Sequence, residues 1–244
     1  MYLQRALYHD RKNPQTMTSF LRYTYKPERL PFFLFALFSF LFSITPFSLS
    51  PGLLFAQTRP DALREYRDGN YERAVTICKN EIAVSPGNLD SHVVICWSLI
   101  ALGRYAEAMG YARSGRNINR YDVRIIEVLG EISYYQGQNN EALLYFQEYV
   151  NLAPEGARIE TVYYFLGEIY IRLGRFLHAD IALTTAVHRL PGNAAWWTRL
   201  AYARENAGDL FEAAAAYERA LSLNPQLNDA RRGLDRVRQA LAQQ

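Results

Sequence analysis

The chain has 244 residues, 27 Lys and Arg against 24 Asp and Glu, 50% apolar residues and 21% charged ones. This composition excludes a disordered polyelectrolyte and suffices for one large domain or two small ones. The formal charge of +3 does not describe a nucleic-acid-binding face: residues 1–56 hold six basic and two acidic groups, whereas residues 57–244 hold 21 and 22, a balance of −1.

Residues 1–56 read as an address. A hydrophilic, basic start (Arg5, Arg11, Lys12, Arg22, Lys26, Arg29) precedes Pro31–Ala56, a stretch of 26 residues with no charge and with eight of the 13 phenylalanines. A basic lead followed by an uncharged apolar run is the layout of a secretory signal. Two readings stand. In the first, Pro31–Ile44 is a signal core, Pro46 and Pro51 break it, and cleavage follows Ala56, although Leu54 is larger than the usual residue two positions before a cut. In the second, the whole stretch is retained as a membrane anchor, long enough to span with tilt. Both readings put everything after Gln57 outside the cytoplasm, either periplasmic or held at the inner membrane. Met17 is an alternative start to Met1, and no Cys follows Ala56 to accept a lipid.

The rest of the chain repeats. Glycines stand at 69, 103, 137, 174 and 208, and alanines at 74, 108, 142, 179 and 213, spaced by 34, 34, 37 and 34 residues. Ile95, Leu129, Leu166 and Leu200 keep that step, each followed by a small residue: Cys96, Gly130, Gly167 or Ala201. Pro86, Pro154, Pro191 and Pro225 close four of five units. Within a unit, apolar residues recur at three- and four-residue steps and mark one helix face. The glycine ends this first helix, because a tight helix exit needs positive φ. A second helix with small packing residues such as Ala179 and Ala186 follows, and the proline stops it. Each hairpin leaves an apolar face that only a neighbouring hairpin covers.

Trp197-x-x-Leu200-Ala201…Gly208…Ala213-x-x-x-Tyr217…Ala220…Pro225 and Tyr163-x-x-Leu166-Gly167-x-x-Tyr170…Gly174…Ala179…Pro191 resemble the tetratricopeptide repeat. The resemblance implies an all-α, right-handed α-solenoid of about five helix–turn–helix units, here 58–88, 89–122, 123–156, 160–193 and 194–227. An apolar N-terminal helix precedes them, a capping helix at 228–244 follows, and Ala157-Arg158-Ile159 is an insertion. Some departures are visible. Pro60 sits where the first helix of the first unit must begin, Gly110 and Gly115 should loosen the second helix of the second unit, and Tyr149 stands where other units have Ala186 or Ala220. In the last helix Asn228 or Asp229 is the expected cap. Ala230, Leu234, Val237 and Leu241 form its apolar stripe, and Asp235 marks a face on which no further unit stacks.

Chemistry is sparse. No phosphate loop, nucleophile elbow, zinc helix or CxxC occurs, and His92, His178 and His188 are scattered, so the sequence offers no catalytic residue, metal site or cofactor. Cys78 and Cys96 fall on helices expected to pack antiparallel, and export would let a disulfide between them persist. Either that bridge forms or both are small buried residues.

By resemblance, the first helices of successive units line a concave groove that binds an extended peptide or a helix. One groove row is then Trp97, Glu131, Glu168, Tyr202; a second is Val93, Glu127, Tyr164, Thr198; a third is Ile100, Tyr134, Ile171, Glu205. The expectation is an aromatic groove with a cluster of acids at its middle, Glu127, Glu131 and Glu168, the first two read as solvated groove residues; buried or semi-buried acids there would select a basic or mixed-charge, partly apolar partner. Arg124 and Arg199 supply only part of the family's clamp for a terminal carboxylate. The reading is a non-enzymatic, exported protein–protein interaction scaffold of the cell envelope, with membrane contact through the N-terminal segment if it is retained and with no nucleic-acid partner. The alternative is an accessory subunit for small-molecule or lipid transport, its ligand held in the aromatic groove.

Overall fold

The computed structural model describes residues 61–243. The proposed signal or anchor, its cleavage point and the apolar N-terminal helix lie outside the described residues.

The described residues form eleven helices in five hairpins and a final single helix. The hairpins are α1 (Ala62–Arg67) with α2 (Tyr71–Val84), α3 (Leu89–Ala101) with α4 (Tyr105–Ile118), α5 (Val123–Tyr135) with α6 (Asn139–Leu152), α7 (Ile159–Arg172) with α8 (Phe176–Arg189), and α9 (Ala194–Ala207) with α10 (Leu210–Leu223). α11 (Asn228–Leu241) closes the stack. Each helix packs on the next in the chain, giving an α-solenoid.

Local chemistry sets the boundaries. All five column glycines have positive φ, from 69° at Gly174 to 88° at Gly208, and each sits at the bend between the two helices of a hairpin. Four of the five first helices begin at side-chain caps, α7 with Arg158 at its start being the exception: Asn88 accepts from the Ser91 N–H, Asp122 from Arg124 and Ile125, and Asn193 from Trp196, and Asp61 caps α1. These caps satisfy donors that the first helical turn leaves free.

Within hairpins the small residues allow close approach. A Cβ on Gly130 would lie 2.7 Å from Cε1 of Phe146, and one on Gly167 would overlap the branch point of Leu183. Phe146 and Leu183 are fully buried, as is Tyr217, which packs under Gly233 of α11. Large side chains on second helices therefore fill the space that missing side chains on first helices leave, which is how a two-helix unit reaches interior packing density.

Several sequence expectations change in detail. α1 has six residues against 13 in α3, but its start at Asp61 uses that side chain as an N-cap. Gly115 does not loosen α4: the helix runs unbroken past Gly110 and Gly115, and a Cβ on Gly115 would come 2.6 Å from Cδ1 of Ile125 on α5. It is a contact point between units. Ile159 is not linker but the first residue of α7, buried in the core. The extra residues instead lengthen the turn before α7 to 153–158, where the other inter-unit turns span 85–88, 119–122, 190–193 and 224–227. That longer turn accommodates Tyr149. Its ring is buried, its hydroxyl accepts from the Arg158 N–H at 3.2 Å, and a Cβ on Gly156 would stand 2.5 Å from that oxygen. Finally, α11 has no side-chain cap; Leu227 holds the cap position and Asp229 pairs with Arg232.

These contacts predict that Gly167→Ala destabilises the protein by about 1–3 kcal/mol through overpacking. Gly192→Ala, at a position with open space around it, should stay within about 0.5 kcal/mol of the parent. Urea unfolding of the two variants checks the difference.

Candidate functional site: the inner face of the first helices

The backbones of the first helices approach one another in series, α1 with α3, α3 with α5, α5 with α7, α7 with α9 and α9 with α11, whereas second helices reach one another through long side chains, as in the Lys79–Glu107 pair of α2 and α4 and the Arg116–Glu148 pair of α4 and α6. The stack is therefore tighter on the first-helix side, and that side forms the inner face. α5 lies at its middle with neighbours on both sides, and ten consecutive residues, Ile125–Tyr134, are buried.

This burial decides what becomes of the expected groove acids. Glu127, Glu131 and Glu168 are buried, not solvated. Isolated carboxylates cannot stay ionised away from water without partners, and each has one. The Arg158 Nε donates to Glu127 Oε1 at 2.7 Å, and its Nη2 donates to Glu131 Oε1 at 2.9 Å. Arg199 donates to both oxygens of Glu168 at 2.6 and 3.0 Å. Arg236 holds both oxygens of half-buried Glu205 at 2.9 Å, and that carboxylate also accepts from the Tyr217 hydroxyl at 2.7 Å. In all three cases the arginine follows its acid by 31 residues; for Glu168 and Glu205 this is one 34-residue unit forward and about one helical turn back, whereas Arg158 sits in the longer turn before α7. A ladder of ion pairs thus links each first helix from α5 onward to the start or body of the next.

The partner selectivity expected from free acids loses its basis, because the acids sit beneath guanidiniums. The side chains of Arg158 and Arg199 remain 50% and 35% exposed and form the outer layer. One guanidinium serves two carboxylates at α5, and the imbalance appears in Glu131. Its burial first, and then the neighbouring Glu127 charge and hydrogen bond, push it up from 4.5 to about 8, so it keeps a proton at neutral pH.

The other sequence-derived groove residues divide into two groups. Trp97, Tyr164, Thr198 and Tyr202 are half-buried and reach the inner surface, while Val93 and Tyr134 are buried. Trp97 lies against Tyr66 of α1 with ring centroids 5.7 Å apart. Tyr164 stacks on Trp196 at 4.8 Å and 9° between planes, and burial followed by the Glu168 charge pushes its hydroxyl up to about 12. The Arg172 guanidinium covers the Tyr134 ring at 3.6 Å, a cation–π contact. Thr198 donates to the Ala194 carbonyl within its own helix. Arg124, expected as part of a clamp, is held by Asp122 and Asp90, and Arg199 is held by Glu168.

Sequence reasoning missed Arg158, Arg199 and Arg236 as partners of the acids and Tyr66 as a neighbour of Trp97. The available signal was an arginine 31 positions after each of Glu127, Glu168 and Glu205. At the first end of the described residues, a cavity of about 630 Å³ lies beside α3, lined by Val93, Val94, Trp97 and Arg124 among others.

Cys78 and Cys96 are free thiols, both buried, so the sequence-derived bridge is not formed in this structure. Burial pushes the Cys78 thiol up to about 12 and raises that of Cys96, whose Sγ lies 3.5 Å from the Ala108 carbonyl. Among the described residues no cluster of ligating side chains could hold a metal ion, and no helix is long and apolar enough to cross a membrane.

Models of the tetratricopeptide repeat match residues 160–188 and 194–227, so repeats of this kind are present in the chain. The BBSome complex member BBS4 homolog of Drosophila melanogaster is 26% identical over 144 residues, 54% of this chain; the match spans 29% of that protein's length. Among solved structures, PilW, described as a widely conserved type IV pilus biogenesis factor, aligns over 74% of this chain and 83% of its own with a TM-score of 0.65 and 18% identity. MamA aligns over 68% of this chain and 96% of its own, with a TM-score of 0.59 and 17% identity. At such identities the structural likeness establishes the solenoid fold. Repeats of this class generally serve as protein-interaction scaffolds without enzymatic activity.

The proton on Glu131 gives a signed prediction. Between pH 4.5 and about 8 the folded chain retains a proton that the unfolded chain has released. Stability from this group is therefore complete below the lower value and is lost as pH rises through the upper one. Glu131→Gln removes that loss, so its Tm should gain several degrees on the parent between about pH 5 and about pH 9; thermal unfolding across that range checks it.

Proposed function

We propose that this chain is a non-enzymatic interaction scaffold, exported to the cell envelope, that holds an extended segment or helix of a partner protein along its inner face. The observation that carries the reading is the inner face itself. Half-buried Trp97, Tyr164 and Tyr202 sit on rigid helices beside the outer sides of Arg158 and Arg199, over acids that are already neutralised. Aromatic and arginine side chains with restricted motion are the residue types that most often dominate protein–protein binding energy. The surface has no concentrated charge of one sign, which favours a partly apolar partner and removes the requirement for a basic one. The envelope setting rests on the sequence alone, through the basic start and the uncharged stretch Pro31–Ala56.

Crosslinking of the full chain in cells, followed by affinity capture, tests both parts. The parent chain should capture an envelope protein. Trp97→Ala combined with Tyr164→Ala should lower that capture at least tenfold while leaving the helical circular-dichroism signal unchanged. Undiminished capture by the folded double variant would move the site elsewhere, and capture of cytoplasmic proteins alone would overturn the export reading.

A further inference from the structure

The outer face, built by the second helices, carries a feature that the inner face does not explain. Two positions of the repeat point outward on these helices. One row is Thr76, Gly110, Leu144, Ile181 and Ala215; the other is Glu72, Ala106, Asn140, Leu177 and Phe211. In the first two units both rows are small or polar. In the last three, Leu144, Leu177, Ile181 and Phe211 are between 67% and 74% exposed. None of them serves its own hairpin: packing there falls to Ala142 and Phe146 on α6, Ala179 and Leu183 on α8, and Ala213 and Tyr217 on α10, all buried. Leu177 and Ile181 are one turn apart on α8, while Leu144 and Phe211 occupy matching rows on the helices to either side.

We infer that this apolar strip across α6, α8 and α10 is the interface of a symmetric homodimer, its occupant being the same strip of a second copy. Two properties point to a second copy. The first is size. The four side chains, two-thirds or more exposed, offer roughly 500 Å² of apolar surface, within the range where a monomer's largest patch is often functional; placed face to face, two such strips bury at most roughly 1,000 Å², the lower bound for a specific interface. The second is charge. A two-fold interface brings a surface against itself, so a rim of one sign repels its own copy. This rim has both signs: Arg175 and Arg219 are exposed, as are Glu212 and Glu218. Arg175 and Arg219 have no ion-pair partner among the described residues, and the Glu212 and Glu218 side chains are 60% and 55% exposed despite their pairing with Arg204 and Arg238. An anionic lipid surface would require a basic rim, and the acids on α10 speak against it.

The test uses the full chain and the row positions as internal controls. Native Cys78 and Cys96 are buried, so a single exposed cysteine reports on its surroundings. Ile181→Cys, oxidised in cells with a membrane-permeant copper complex, should give a covalent dimer. Thr76→Cys, at the same position of the first unit, should give at least tenfold less. Adding Leu177→Glu and Phe211→Glu to Ile181→Cys should abolish the dimer with the helical signal intact. A monomer from Ile181→Cys, an equal yield from Thr76→Cys, or an Ile181→Cys adduct formed only with a different protein would each overturn the proposal. The outcome is independent of the inner-face reading, because the inner-face substitutions are absent from every variant used.

Discussion

The arrangement turns on a conflict at α5. A first helix in the middle of a solenoid has neighbours on nearly every side, so its ten central residues are removed from water, yet two of them are glutamates on adjacent turns. Burial without a counter-charge would cost several kcal/mol per carboxylate. The extended turn before α7 resolves this by bringing Arg158 over both. The same solution recurs at Glu168 with Arg199 and at Glu205 with Arg236. Because each pair joins successive first helices, the ladder neutralises the inner face and also fixes the register of one unit on the next.

Function follows from this neutralisation. Had the acids faced solvent, the inner surface would be a cation-selective groove. With guanidiniums over them it is a nearly neutral surface of aromatic rings and arginine faces. The two ends differ in kind. At the first end of the described residues a cavity lies between α1, α2 and α3. At the other end α11 turns Leu234 and Val237 inward and spends Arg236 and Arg238 on Glu205 and Glu218, so the cap takes part in the ladder as well as ending it.

The hairpins were legible in the sequence because their signals are local. A glycine at a bend needs positive φ whatever surrounds it, and the step between Gly130 and Phe146 lies within one unit. Tertiary consequences were harder to read. Gly115 looks like a weak helix residue in isolation, and its role as a close contact between units shows only beside Ile125 of the next unit. Arg158 looks like linker until the turn carrying it folds back over α5. Solvation of Glu127 and Glu131 was misjudged for a related reason: a position known to line a groove in other chains is exposed only if the next unit leaves it so. The apolar outer strip was written in the same repeat columns, but it is found by asking which positions lack a packing role, not which ones fit the pattern.

The most direct test of the ladder is a double-mutant cycle on its simplest rung, Arg199→Met and Glu168→Gln, read by urea unfolding of the two single variants and the double. If Arg199 neutralises a buried Glu168, removing the arginine alone should be clearly more destabilising in the presence of the glutamate than in its absence, with a coupling of about 1–3 kcal/mol. Effects that add to within about 0.3 kcal/mol would mean that the carboxylate meets water, and would contradict the account of the inner face.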